Sequence, residues 1–335
     1  MAKSNIYVGI DLHKRSFSVV MMNVAGRVIK EMSSSTESAK VMAFAAGLTS
    51  RHEVALEPVE NSHWFIRQLQ PYAGSVQAAN STRVRLIAES KLKNDRIDAR
   101  ILADLLRIGY LPTVYIPEDE VFHWRGIIRH RIRLVRDRSR LKCRVKGLLN
   151  REGYRVEASD VFGKKGRSEI DSAELSAPVR AMVESQLVEA DLLTAHIGVL
   201  EREIERIAQS DAICRHLMTI DGIAEFTALA IRAIVGRMDR FRSVKAFSSY
   251  TGLTPGYRQS ADHTAKGSIT KQGSPTLRWV LMQAAGHVAR KNEQLRRLHR
   301  RVCYRSTKAN ARTAVAHALA RIIYHVWMEA RPYYR

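Results

Sequence analysis

The sequence predicts an α/β domain at the N-terminus followed by two largely helical parts. Three observations carry this: short β-rich runs crowd residues 5–29, helix and strand patterns alternate to about residue 108, and residues 121–155 and 183–207 read as long helices. Ile6–Ile10, Phe17–Met22 and Arg27–Ile29, with a turn at Ala25-Gly26, form a three-strand meander. A helix over about Ser38–Leu48 follows, then a strand at Glu53–Glu57, a helix at Ser62–Leu69, a strand near Ser75–Gln77, and helices from Ser81 to Ile108. A meander followed by alternating helices and strands is the order of the ribonuclease-H-like fold.

Pro112 and Pro117 continue neither a helix nor a central strand, so the first domain is expected to span residues 1–115. Residues 121–155 carry twelve Lys or Arg against only Asp137 and Glu152. Gly163-Lys164-Lys165-Gly166 is expected to be a loop. Beyond it Val183, Leu187, Ala190, Leu193, Ile197, Leu200, Ile204 and Ile207 recur at three and four residues, the spacing of a helix-packing seam. Residues 116–210 are therefore expected to form a basic antiparallel helical arm. Residues 211–335 form the third part, mainly α. Its Ile220-Asp221-Gly222-Ile223 resembles a helix-hairpin-helix turn, and residues 290–321 carry ten Lys or Arg against Glu293.

The chain has 335 residues and a formal charge of +22, a surplus that repels itself unless an anionic partner neutralises it. Nucleic acid is the obvious partner. A membrane surface is the competing anion, but no long uncharged apolar run and no signal-peptide pattern is present, so the chain reads as soluble and intracellular. Cys143, Cys214 and Cys303 stand far apart, without ligand spacing, and indicate neither a disulfide framework nor a zinc site.

The chemistry rests on acids. Asp11 ends one strand and Glu57 another, so with those strands adjacent both carboxylates would emerge at one sheet edge. Asp95 and Asp98 stand three apart at a helix start and share a face. Together the four are a candidate cage for Mg²⁺, with Mn²⁺ as a substitute. Two such ions about 3.5 to 4 Å apart serve phosphodiester chemistry, and hard cations prefer oxygen ligands. Glu60 and Asp104 are the rivals. His13 and Lys14 either orient a phosphate or are exposed loop residues. The polar run from Tyr250 to Gly273 is expected to be a phosphate-contacting loop, with Gly256 and Gly267 permitting close backbone approach and Arg258, Lys266 and Lys271 supplying charge. On the arm, Arg136, Arg140, Arg144 and Lys146 are the candidate nucleic-acid contacts. A serine in the polar run would be a nucleophile toward phosphorus if its proton were removed.

The motifs together resemble the DEDD-type transposases of bacterial insertion sequences, the IS110 family, and the related Piv-type DNA invertases. The residues concerned are Gly9-Ile10-Asp11-Leu12-His13-Lys14, Leu56-Glu57, Lys93-Asn94-Asp95-Arg96-Ile97-Asp98-Ala99, the basic arm, Asp221-Gly222-Ile223, Tyr250-Thr251-Gly252-Leu253-Thr254-Pro255 and Gly267-Ser268-Ile269-Thr270-Lys271-Gln272-Gly273. The resemblance implies a RuvC-like N-terminal domain with its acidic tetrad on Asp11, Glu57, Asp95 and Asp98, a coiled-coil arm used in oligomerisation as a dimer or tetramer, and a C-terminal transposase domain. It implies that Ser260 forms a covalent link to DNA, and that a structured noncoding RNA guides the enzyme to donor and target DNA in a bacterial cytoplasm, at the nucleoid. Pro58-Val59-Glu60 follow Glu57 where relatives carry small residues and a glycine, so Glu60 stays the alternative ligand. Ser260 sits in Gln259-Ser260-Ala261-Asp262 in place of the usual Ser-Ser-Gly-Gly. A RuvC-like nuclease or junction resolvase without a covalent intermediate is the alternative function. An actin-like ATPase lacks its phosphate-binding Gly and Thr or Ser beside Asp11, and a non-catalytic scaffold leaves the four acids unexplained.

Overall fold

A computed structural model describes residues 5–88, 94–260 and 263–333, with the side chains of 257–266 outside the described set. The chain divides into two compact units, residues 1–117 and 118–335.

The first unit is mixed α/β. Its strands are β1 (Ile6–Leu12), β2 (Ser16–Met22) and β3 (Val28–Ser35), then β4 (His52–Leu56), β5 (Ser75–Ala79) and the short β6 (Thr113–Val114). They form one sheet in the order β3-β2-β1-β4-β5-β6. β1 is antiparallel to β2 and parallel to β4, and β4 is parallel to β5. The sheet is covered on both faces, and alternation along β1 explains how. Val8, Ile10 and Leu12 point into one core with α1 (Ser38–Ala46) and α2 (Ser62–Leu69), where Phe17 stacks near Phe44 and Phe65. Tyr7, Gly9 and Asp11 occupy the opposite face, with α3 (Ser81–Ile87) and α4 (Asp95–Arg107). α4 presses directly on the sheet: Ala99 and Ala103 pack with Val20 and Met22, and a Cβ on Gly9 would lie 1.9 Å from the Ala99 carbonyl oxygen. Only glycine allows that approach. β6, which no sequence pattern predicts, is two residues long and pairs antiparallel with Ala78 and Ala79.

The second unit is largely helical. α5 (Asp119–Arg151) and α7 (Ala177–Ser210) pack side by side, and Ile170 of α6 (Lys164–Asp171) shares a core cluster with Val145 and Leu149 of α5 and Val183 and Leu187 of α7. Arg131 meets Glu201 at 2.6 Å and Arg138 donates to Thr194 at 3.2 Å, so the two run antiparallel. Lys164, Lys165 and Gly166 open α6, with Gly163 at its N-cap, in place of the loop expected over 163–166. Gly166 serves a close approach there rather than a turn, since its Cβ would fall 2.4 Å from the Asp160 carbonyl oxygen. The roots of the long helices, Ile128, Ile132, Ile204 and Ile207, belong to the same core as α8 (Ala212–Met218), α9 (Glu225–Val235) and α10 (Val244–Thr251). Three further helices, α11 (Pro275–Lys291), α12 (Glu293–Arg305) and α13 (Lys308–Met328), complete it. The turn between α8 and α9 lays Gly222, at φ +92°, against α11, where a Cβ would meet the Val288 backbone nitrogen at 2.9 Å.

The polar run from Tyr250 to Gly273 is not a plain loop but contains a hairpin, β7 (Pro255–Ser260) and β8 (His263–Ile269). Gly256 and Gly267 lie close to the opposite strand, with Cβ positions 3.0 and 3.3 Å from the Ser268 and Gly256 carbonyl oxygens, and Gly252 and Gly273 are tighter still. The latter two have positive φ, and their Cβ positions lie 2.1 Å from the Gln272 and 1.9 Å from the Tyr250 carbonyl oxygens. Polarity and glycine content suggest a loop, whereas backbone pairing between 255–260 and 263–269 shapes the segment. Among the described residues no helix is long and apolar enough to cross a membrane.

Candidate metal centre

The parallel pairing of β1 and β4 sets the first two acids. Ile10 lies opposite Leu56, so Asp11 and Glu57 follow at the same level, on the α4 face by the strand period of two. Close packing of α4 at Gly9 then brings its first turn over that edge, with Asp95 and Asp98 separated by less than one helical turn. Asn94 caps the helix by accepting from the Arg96 amide, and both acids sit where the helix dipole favours negative charge. Asp11, Glu57, Asp95 and Asp98 line one cleft of about 500 Å³, together with His13, Asn94, Ser81 and Arg85. Glu60 is exposed and does not line that cleft, and Asp104 is held by Arg107 at 2.6 Å.

Asp11 is buried, with 8% of its surface exposed. Burial pushes its carboxyl up to about 6; His13 opposes the rise, while Asp95, Asp98 and Glu57 add to it by repulsion. His13 Nε2 lies 3.2 Å from Asp11 Oδ2 and 3.5 Å from Asp95 Oδ2, so the imidazole spans two carboxylates from the open side. Ligand atoms of Asp11, His13 and Asp95 all fall within 4.8 Å of one another. Mutually repelling carboxylates that converge on one exposed imidazole fit a divalent cation, which their oxygens suit. In the sequence His13 is legible only as a neighbour of Asp11. Ser81 and Arg85 are not legible as cleft residues at all, because α3 reaches the cleft through the β5 crossover and no motif marks it.

One expectation follows from the buried acid. Metal must displace the proton that Asp11 retains below about pH 6, so Mg²⁺ or Mn²⁺ should raise the melting temperature clearly at pH 7.5 and little at pH 5. A thermal-shift series across that range checks it. An equal shift at both pH values would exclude Asp11 from the ligand set.

The remaining candidates lie in the second unit. Arg136, Arg140 and Arg144 recur four apart on α5 and are exposed, as is Lys146. The arm's positive charge is not all free: Arg131 pairs with Glu201, Lys142 with Asp160 at 2.6 Å, and Arg125 donates to the Ala233 and Ile234 carbonyls. Ser260 is the last residue of β7, opposite His263, and its side chain lies outside the described residues, as do those of Arg258 and Lys266. Lys271 is exposed at φ 56°, a left-handed conformation uncommon for a residue with a Cβ.

Residues 8–152 match the family model for DEDD transposases of the IS110 type, described as "Transposase", and residues 214–300 match the "Transposase IS116/IS110/IS902 family". A probable family 20 transposase of Pseudomonas aeruginosa is 27% identical over 241 residues, 71% of each chain. The transposase for insertion sequence element IS1328 of Yersinia enterocolitica is 24% identical over 324 residues, 95% of this chain and 96% of its own. The transposase for IS1111A of Coxiella burnetii is 24% identical over 284 residues, 83% of this chain and 76% of its own.

Proposed function

Because this chain belongs to the DEDD-type IS110 transposase family, we propose that it cuts and rejoins DNA with a metal-bound acidic tetrad and a serine nucleophile. The observation that carries the reading is the convergence of Asp11, Glu57, Asp95 and Asp98 on one cleft. A sheet in the order β3-β2-β1-β4-β5, with only β2 reversed among those five strands, supports a RuvC-like, ribonuclease-H-like domain. Asp11, Glu57, Asp95 and Asp98 would hold one or two Mg²⁺ ions, which when bound polarise the phosphoryl oxygen and stabilise the leaving oxygen. His13 and Arg85, on the rim of the same cleft, are suited to orient a phosphate.

Ser260 Oγ attacks the scissile phosphorus. The Oγ–P bond forms as the P–O bond to the leaving strand breaks; the serine hydroxyl gives up one proton and the leaving oxygen takes one up. The ester to serine keeps the strand available for rejoining. Arg136, Arg140, Arg144, Lys146, Arg258, Lys266 and Lys271 neutralise backbone phosphates of donor and target DNA and of a structured noncoding guide RNA. The α5–α7 pair acts as a coiled-coil arm that joins copies of the chain into a dimer or tetramer.

Ser260→Ala is expected to abolish both the covalent DNA–protein adduct and the rejoined product. Its metal-dependent thermal shift should be unchanged, which separates loss of the nucleophile from loss of the metal centre. Nicked DNA from the native protein with no adduct, and equal nicking by Ser260→Ala, would replace this reading with a hydrolytic nuclease that uses the tetrad alone.

A further inference from the structure

α11, α12 and α13 meet at an open, arginine-rimmed groove of about 370 Å³ within the helical unit. Arg290, Arg296, His299, Arg300 and Arg312 line it from three different helices, and no acid is among its lining residues. Ala285, Gly286 and Ala289 form its floor, where the small side chains of α11 leave room for a ligand. The corner between Arg290 and Arg296 is tied by Asn292. Asn292 is buried there, caps α12 by accepting from the Leu295 amide, and donates to the Tyr333 hydroxyl at 3.2 Å.

Four guanidinium groups facing one groove repel one another, and the protein neutralises them only in part. Glu293 is shared between Arg296 and Arg297, and the half-exposed Arg296 keeps its Nε atom without a hydrogen-bond partner among the described residues. Among the described residues Arg290 meets the His287 ring, at 2.8 Å, and Arg290, Arg300 and Arg312 make no ion pair. Exposed cations that converge on one groove, with one guanidinium nitrogen left without an acceptor, suit a ligand that brings acceptor oxygens and negative charge.

We propose that this groove is a phosphate-binding site that grips the backbone of a nucleic-acid strand, with Arg296, Arg300 and Arg312 as the principal contacts. The site lies outside the carboxylate cluster and requires neither metal nor strand cleavage, so it is tested by binding alone. Phosphate chemistry is supplied equally by a nucleic-acid backbone and by a free phosphate, and the experiment separates them.

The test follows fluorescence anisotropy of labelled single-stranded and duplex DNA across a KCl series, without divalent metal. Arg300→Gln/Arg312→Gln should weaken binding about tenfold or more and flatten the salt dependence by nearly 2, since each duplex phosphate that a cation neutralises adds about 0.9 to the slope. Arg301→Gln/Arg305→Gln, on the same helix as Arg300 but outside the groove, should do markedly less. Gly286→Leu keeps every charge and fills the floor, so it should also weaken binding; a surface that acts by charge alone would not respond. Equal effects of the two arginine pairs, with Gly286→Leu neutral and its melting temperature retained, would overturn the proposal. Saturable binding of inorganic phosphate that Arg300→Gln/Arg312→Gln abolishes, with DNA affinity untouched, would overturn the nucleic-acid assignment and leave a small-anion site.

Discussion

Gly9→Ala is expected to destabilise the N-terminal unit by about 3 kcal/mol or more, although it adds a single methyl group. The added Cβ would lie 1.9 Å from the Ala99 carbonyl oxygen and 2.5 Å from the Ala103 amide nitrogen, both backbone atoms of α4. No rotamer change relieves such a clash, and trimming Ala99 to glycine would not help, because the obstacle is its backbone. α4 must lift from the sheet, which opens the packing of Ala99 and Ala103 on Val20 and Met22 and carries Asp95 and Asp98 away from Asp11. Calorimetry of the full chain should show the melting temperature of this unit falling by roughly 10 °C or more. Gly126→Ala provides the contrast. Gly126 lies inside α5 with nothing within 4 Å of an added Cβ, so alanine there should be neutral or stabilise by about 0.5–1 kcal/mol. An unchanged transition in Gly9→Ala would show that the sheet and α4 are not packed this closely.

Asp11→Asn should move activity and stability in opposite directions. The amide keeps the shape of the side chain and removes the charge that would hold a cation, so transposition activity should fall by about 10³-fold or more, equivalent to roughly 4 kcal/mol of transition-state stabilisation. In the metal-free protein the same change removes a penalty. The folded-state carboxyl of Asp11 is raised to about 6, so ionising it costs folding free energy. That cost is absent below the ordinary carboxylate range, grows as pH rises toward 6, and is full above it. Asp11→Asn should therefore match the native stability near pH 4 and exceed it at pH 7.5, by on the order of 1–3 kcal/mol of unfolding free energy. Divalent metal should narrow the gap by stabilising the native protein alone. A variant that is less stable than the native chain at pH 7.5 without metal would mean that Asp11 is held by favourable partners instead of by repulsion and burial.

These two residues illustrate how much of the site is legible in the chain. Asp11, Glu57, Asp95 and Asp98 stand at strand ends and a helix start, positions that sequence periodicity locates well, and the cleft contains all four. Gly9, two residues from Asp11, reads only as part of a family motif. Its role depends on a helix some ninety residues away, and no local pattern announces that approach. The hairpin at 255–269 reads as a loop for a related reason: polar, glycine-bearing strands have no apolar alternation to betray them, and pairing alone defines them.

By itself the sequence determined the α/β-then-helical order, the surplus of +22, the four acids and the long basic helix, because each is a property of composition or of short-range spacing. The tertiary structure decided which of these act together. Parallel pairing of β1 with β4 set Asp11 and Glu57 level, and the approach of α4 at Gly9 added Asp95 and Asp98. Antiparallel packing of α5 on α7 ties Arg131 to Glu201, while Arg136 and Arg144 stay exposed and Arg140, also exposed, pairs with Asp137 within α5. The meeting of α11, α12 and α13 turned a scattered set of arginines into one groove. In each case the deciding interaction joins residues far apart in the chain, where the gain comes from burial and close packing rather than from any local preference.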